Sequence, residues 1–377
     1  MMRFLRYAGV AGMAGIALSA SGLAATAANA APTTVYVSPT GSVGAGGSSC
    51  STATFSSIQA AVEAAPLHGL VVVCPGVYHT SVTVNRAVNL SGKHGAVVDA
   101  TGQPYGIGVA ASWVTVSGLT VENASDTSDN APADGIITAG FVDDVPTPAN
   151  HVTITGNTVK DNVGSGIDIN STSYSVASKN VAIGNGVGIN MSDDLGVPAS
   201  HNRIIGNVSD DNPGGCGIAL ADHTGMGVFD NVISGNVADD NGLGSPSAPD
   251  ASAGSGIILA DPAPAGGVYD NQVLGNHFSG NGHAGVALHA HAPGTNFSGN
   301  VIAGNVIGRN NLRTDTDDLK TTGVYLADAS PLTITVIGNI ISNNYYGIFT
   351  AGSVIVKGAL FNGFVNVVHA TGSYPTY

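Results

Sequence analysis

Residues 230–261 read DNVISGNVADDNGLGSPSAPDASAGSGIILAD. Asn231, Asn236 and Asn241 stand five apart, and a variable segment then leads to Gly256-Ile257-Ile258-Leu259-Ala260-Asp261. The unit recurs. Asn202, Asn207 and Asn212 precede Gly217-Ile218-Ala219-Leu220-Ala221-Asp222, Asn271, Asn276 and Asn281 precede Gly285-Val286-Ala287-Leu288, and Asn300, Asn305 and Asn310 precede Gly323-Val324-Tyr325-Leu326-Ala327-Asp328. Thinner copies surround Asn157 and Asn339. The middle Asn follows Gly each time, and from Asn207 to Asn339 the spacings are 29, 40, 29 and 34 residues. A period in this range marks a coiled array of small units.

Apolar residues alternate within each unit, as in Ile257 and Leu259 after Gly256, which is strand periodicity. A short strand cannot bury its apolar face alone, but like strands stacked about 4.8 Å apart enclose a continuous core. Asn suits the corners: it tolerates left-handed backbone, and its amide can bond the same amide one coil above and below. Leucine-rich repeats also carry an Asn ladder, but here Ile and Val dominate and the Asn spacing is five. The fold class expected is all-β, a parallel β-helix solenoid.

Arg3 and Arg6, an Ala/Gly-rich apolar run and Ala28-Asn29-Ala30 have the layout of a secretory signal over residues 1–30, leaving 31–377 as one β-helix domain, secreted and soluble. Losing those two arginines takes the formal charge from -14 to -16. Such a charge disfavours nucleic acid and anionic membranes as partners, and no second apolar run is long enough for membrane insertion. Charged residues are only 10% of the chain, so Asn, Ser, Thr and Gly must make much of the surface, a lining suited to hydroxyl-rich ligands and to solvent alike. In an exported chain Cys50 and Cys74 are expected to form a disulfide, contributing roughly 3 kcal/mol on the chain-entropy model. Cys216 is left over as a small corner residue.

Near the start, Ser56 to Gln59 forms a capping-box pattern and Ile58, Ala61, Val62 and Ala65 give one apolar face, so a short helix is expected to cover the exposed end of the stack. Tyr36-Val37-Ser38, Ser57-Ile58-Gln59-Ala60-Ala61-Val62, Pro75-Gly76-Val77-Tyr78 and Leu90-Ser91-Gly92, followed by the Gly-Asn repeats, resemble the secreted right-handed β-helix proteins of the pectate-lyase-like superfamily. The resemblance covers nearly the whole chain after residue 30. It implies a single-stranded right-handed parallel β-helix, and it leaves the activity open among polysaccharide lyases, glycoside hydrolases, epimerases and non-catalytic members. Asp134-Gly135-Ile136 and Gly166-Ile167-Asp168 are similar to Asp-Gly-Ile elements of epimerases and hydrolases in that superfamily.

Connections from the Asn strands to the Gly-Ile strands swell at 122–134, 242–255 and 311–322, whereas those leaving the Gly-Ile strand stay short, as from Asp222 to Asn231. Such loops either wall a groove over the Gly-Ile sheet or mark an edge that tolerates insertions. Positions two and four after Gly should face outward, giving Asp168, Asn170, Asn190, Ser192, His289 and Tyr325. Five after Gly stand Asp193, Asp222, Asp261 and Asp328, with Asp194, His223 and His291 one further on. Stacked carboxylates raise one another's pKa or attract a cation. Asp168, Asp193, Asp222 and His223 are therefore the acid/base candidates. Asn170, Asn190, Asp261, His289 and Tyr325 are substrate-binding candidates, and Asp193, Asp222 and Asp261 are candidate ligands for Ca2+. The other reading of the Asp row is that Asp caps backbone amides where a strand turns. His289 and His291 lack a third metal ligand. Lyases of the family resembled use a basic residue beside the metal, and no Arg or Lys falls beside Asp193 or Asp222, so no lyase set carries over. The function expected is action on an extracellular polysaccharide or oligosaccharide through an acidic groove, against a non-catalytic glycan-binding or envelope structural role. The oligomeric state is left open.

Overall fold

Each unit folds as one wrap of backbone around a shared apolar interior. The computed structural model describes residues 34–358 apart from 42–46, 129–130, 143–144, 245–253, 264, 291–292 and 314–319, together with the backbone alone of 140–142, 145–147 and Val367–Ala370. The signal-like residues 1–30 and most of the stretch from Phe361 to Val368 lie outside that description.

Three strands per coil line three faces. The Gly-Ile face carries Tyr105–Val109, Asp134–Ile137, Ser165–Asn170, Val187–Ser192, Ile218–Ala221, Ile257–Asp261 and Val286–Ala290. All pair in parallel and in register, so that Ile136, Ile167, Ile189, Ile218, Ile257 and Val286 stack in one column with almost no exposure. A second face holds Thr153–Thr155, Val176–Ser178, Arg203–Ile205, Val232–Ser234 and Gln272–Leu274, whose middle residues point inward. A third holds Thr158–Lys160, Val181–Ile183 and Val208–Asp210. Burying an Ile or Leu at each rung contributes about 2 kcal/mol before entropy, which is why the alternation repeats so strictly.

The asparagines form buried ladders. Asn180 Nδ2 donates to Asn207 Oδ1 at 3.0 Å and to the Ile154 carbonyl at 2.9 Å, and the link repeats from Asn207 to Asn236 and from Asn236 to Asn276. These asparagines are not themselves left-handed. The residue before each one is: Gly206 has φ 61°, Gly235 63°, and Asp211 and Asp240 52° and 55°. The strain-tolerant position is thus one place earlier than expected, which explains the Gly before Asn207, Asn236, Asn276 and Asn305, while Lys179 at φ 55° holds that place before Asn180. Asp161, Asp211 and Asp240, in those corners, are exposed. The Gly of each Gly-Ile strand has a separate cause. A Cβ on Gly217 would stand 2.6 Å from the Asn241 amide nitrogen and one on Gly188 2.7 Å from that of Asn212, so this Gly leaves room for the next coil's ladder.

The chain's first coils are covered by an α-helix, Ile58–Ala64, with Ile58, Ala61 and Val62 buried. Its N-cap is Ser57, which accepts from Ala60 N–H, and not Ser56. Gln59 instead reaches the edge strand Val82–Val84, donating to the Thr83 carbonyl at 3.2 Å and accepting from its N–H at 2.9 Å. One side-chain amide thus satisfies an edge that would otherwise invite another chain. Cys50 and Cys74 form the expected disulfide.

Two features were not anticipated. After the Gly-Ile strand of the Asp134 coil, an antiparallel hairpin, Ala139–Val142 with Val145–Pro148, interrupts the short connections. At an outer corner, Trp113, His151, Tyr174 and His201 stack ring on ring, with centroids 4.0, 5.3 and 4.8 Å apart, and each has a left-handed backbone. Trp113 and Tyr174 are more than half exposed.

Candidate functional site

Outside the core, on the Gly-Ile face, lies an open pocket of about 610 Å3. Its floor is Asp168 and Asn170 of one coil and Asn190 of the next, with Asp134 on the coil before. One wall is apolar: Ile137, Ala139 at the root of the hairpin, and Leu195 beyond the next turn. The opposite wall is Pro132 from the 122–134 connection, beside Gly164 and Gly186. Gly164 is required, since a Cβ there would meet the Pro132 carbonyl oxygen and the Asp134 carboxyl. The outward positions read from the alternation are correct for Asp168, Asn170 and Asn190. Asp168 and Asn170 are nonetheless only 4% and 5% exposed.

These groups form a connected chain. Asp168 accepts from Asn190 Nδ2 at 2.9 Å and from Asn170 Nδ2 at 3.2 Å, and Asn170 Nδ2 also approaches Asp194 Oδ2 at 3.3 Å. Asp194 accepts from the Ser192 hydroxyl at 2.8 Å and meets His223 Nδ1 at 2.5 Å. Burial, and then the Asp194 charge, push the Asp168 carboxyl up to about 7. Burial and the Asp168 charge hold Asp134 well above the usual carboxylate range. Burial works to raise Asp194 as well, but the His223 hydrogen bond and charge outweigh it and hold that carboxyl below its ordinary value. The same bond raises His223, against burial. Two neighbouring carboxyls are thus driven apart, one toward the acid and one toward the anion, which is the arrangement acid/base chemistry needs.

The row five after Gly goes elsewhere. Asp193, Asp222 and Asp261 have no exposed surface, because strict alternation carries position five inward. Asp193 accepts from His223 N–H at 2.7 Å, Met226 N–H at 2.9 Å and the Thr224 hydroxyl at 2.7 Å, all on the next coil. Asp222 accepts from Gly225 and Gly267 N–H, and Asp261 from Ala263 N–H at 2.9 Å. Burial alone would raise Asp193, yet hydrogen bonds from Asp222 and Thr224 bring it to about 2, while burial and the shared proton lift Asp222 to about 6. This corrects the expectation that Asp193 and Asp222 face a ligand: they are turn caps tying one coil to the next. The row does not fit Ca2+ either. The oxygens of Asp193 and Asp222 already receive N–H and O–H dipoles, and among the described residues no group of three or more His, Cys, Asp or Glu is arranged to hold a metal ion.

His223 joins the pocket through Asp194, whereas Asp261, His289 and Tyr325 do not reach it. His289 is buried edge-on against Tyr325, which stacks on Phe349. His291 falls outside the described residues. Beyond Gly214, Ile258 and Ala287 are buried with Cys216 and Ala284, and they do not line the pocket. Asp134, Asp194 and Leu195 complete the pocket. Asp134-Gly135-Ile136 was a visible signal for the first, and nothing local marks Leu195.

A family model described as the right handed beta helix region matches residues 105–361. Similar solved structures include a pectate lyase at 18% identity, covering 88% of this chain and 78% of that one with a TM-score of 0.50. The A-module of a mannuronan C-5 epimerase from Azotobacter vinelandii matches at 18%, over 83% and 95%, with a TM-score of 0.50. The complex of XylC with xylose matches at 12%, over 86% and 70%, with a TM-score of 0.52. At these identities the likeness is one of fold. No curated protein sequence matches the chain. Parallel in-register coils, the capping helix and the family match together place the chain in the right-handed β-helix family.

Proposed function

We propose that the protein acts on a polysaccharide or oligosaccharide in the pocket over the Gly-Ile face, by acid/base cleavage of a glycosidic bond. The observation that carries this reading is the pair Asp168 and Asp194: adjacent on the pocket, the first buried and the second held ionised by His223. Asp168 donates a proton to the departing sugar oxygen, and Asp194 serves as base or nucleophile. Asn170 and Asn190 orient Asp168 through their amides. Pectate and mannuronan, which name two of the similar structures, are polysaccharides, and that sets the ligand class considered first. The Cys50–Cys74 bond belongs to an oxidising compartment and supports export.

The test is release of reducing ends from a panel of polysaccharides, with Ca2+ and with a chelator. Turnover is expected without added metal and to decline as pH rises past about 7, where Asp168 loses its proton. Asp168→Asn should lower kcat/KM by about a hundredfold, within the range general acids contribute. Saturable binding with no turnover at any pH between 4 and 8 would instead favour the glycan-binding role.

A further inference from the structure

The pocket's chemistry narrows its ligand further, on the premise that it takes a sugar. Its acidic lining is Asp134, Asp168 and Asp194, and among the described residues no Lys or Arg lines it. Lys160, on the third face, is tied to Glu122 at 2.8 Å and Asp161 at 3.3 Å. His223 is engaged by Asp194.

The hydrogen-bond inventory points the same way. A carboxylate on a ligand needs donors, and the side-chain amides that line the pocket offer few: Asn170 Nδ2 gives its two hydrogens to Asp168 and Asp194, and Asn190 Nδ2 gives one of its two to Asp168. An acceptor is left over as well. Asn170 Oδ1 is buried and has no hydrogen-bond partner among the described residues, a state that a ligand hydroxyl relieves. Facing it, Ile137, Ala139 and Leu195 offer apolar surface to the C–H face of a sugar ring.

We infer that the pocket selects uncharged, hydroxyl-rich sugar chains and rejects uronates. A uronate carboxylate there would stand beside the Asp194 anion with no Lys or Arg among the described lining residues to receive it, and desolvation strengthens that repulsion. A neutral ring supplies hydroxyl donors to open acceptors and an apolar face to an apolar wall.

Affinity electrophoresis and calorimetric titration of the full chain test this, using xylan, mixed-linkage glucan and galactomannan against polygalacturonate and alginate, each at 20 and 500 mM NaCl. At least one neutral polymer is expected to bind at least tenfold tighter than either polyuronate at both salt concentrations. Asn170→Leu, which removes the open acceptor, should weaken that binding about tenfold while the circular dichroism spectrum stays unchanged. Uronate binding equal to or tighter than neutral binding overturns the inference and leaves the glycan reading standing. Binding by no polymer of either class overturns both.

Discussion

Replacing Asn236 with Ala is expected to destabilise the stack by about 4 kcal/mol, measured as a fall in the urea midpoint. Asn236 Nδ2 donates to the Ile204 carbonyl and to Asn276 Oδ1, both at 2.9 Å, and its Oδ1 accepts from the backbone and amide of Asn207 at 2.9 and 3.0 Å. All four bonds lie inside the protein. Truncation strands two Asn207 hydrogens and a carbonyl where no water reaches, at about 1–3 kcal/mol for each buried unsatisfied group. Asn339→Ala should cost about as much, since it strands the equivalent three groups, two Asn305 hydrogens and the Ile302 carbonyl. Asn339 makes three such bonds, one donated to Ile302 and two accepted from Asn305. Asp240, exposed but in a left-handed corner at φ 55°, should lose only about 1 kcal/mol on replacement by Ala. A loss under 1 kcal/mol for Asn236→Ala would show that the ladder is decoration on a core that stands without it.

The stability of the protein is expected to peak near pH 4 to 5 and to decline toward neutrality, the reverse of the usual carboxylate pattern. Burial, with Asp222 beside it, raises Asp261 to about 7, and burial raises Asp222 to about 6. A carboxyl whose folded pKa lies above its unfolded value holds its proton more tightly when folded. Its contribution is complete below the unfolded value near 4 and is lost as pH climbs through 6 to 7. Asp193, lowered to about 2, works oppositely: its contribution is present above 4 and lost only as pH falls toward 2. Asp261→Asn mimics the protonated form, since one oxygen accepts from Ala263 N–H and Oδ2 is buried without a partner among the described residues. The variant should exceed the parent at pH 8, on the order of 3 kcal/mol, and show no gain at pH 4.5. Thermal scans of both proteins at the two pH values decide it. An equal offset at both would mean that ionisation is not the cause.

Legibility in the sequence tracked repetition. The five-residue Asn spacing, the Gly-Ile alternation and the helix face of Ile58, Ala61 and Val62 each follow a local rule, and their stacking follows from the period. Asp168, Asn170 and Asn190 were accessible for the same reason, being outward positions on regular strands. The misplaced Asp193, Asp222 and Asp261 came from reading a polar strand-end residue as exposed, when continued alternation would have turned it inward toward the next coil's amides. Leu195 and the hairpin at Ala139 were out of reach because insertions obey no period. The stacked corner was hidden differently: Trp113, His151, Tyr174 and His201 are 38, 23 and 27 residues apart, and only unequal coil lengths make them neighbours.

That corner holds the chain's single tryptophan, with an imidazole lying parallel to it at 4.0 Å and 8°. The protein therefore carries an optical probe of its own coil-to-coil contact. Its emission should change in His151→Ala, which removes the stacked ring, and should change again when denaturant parts those two coils.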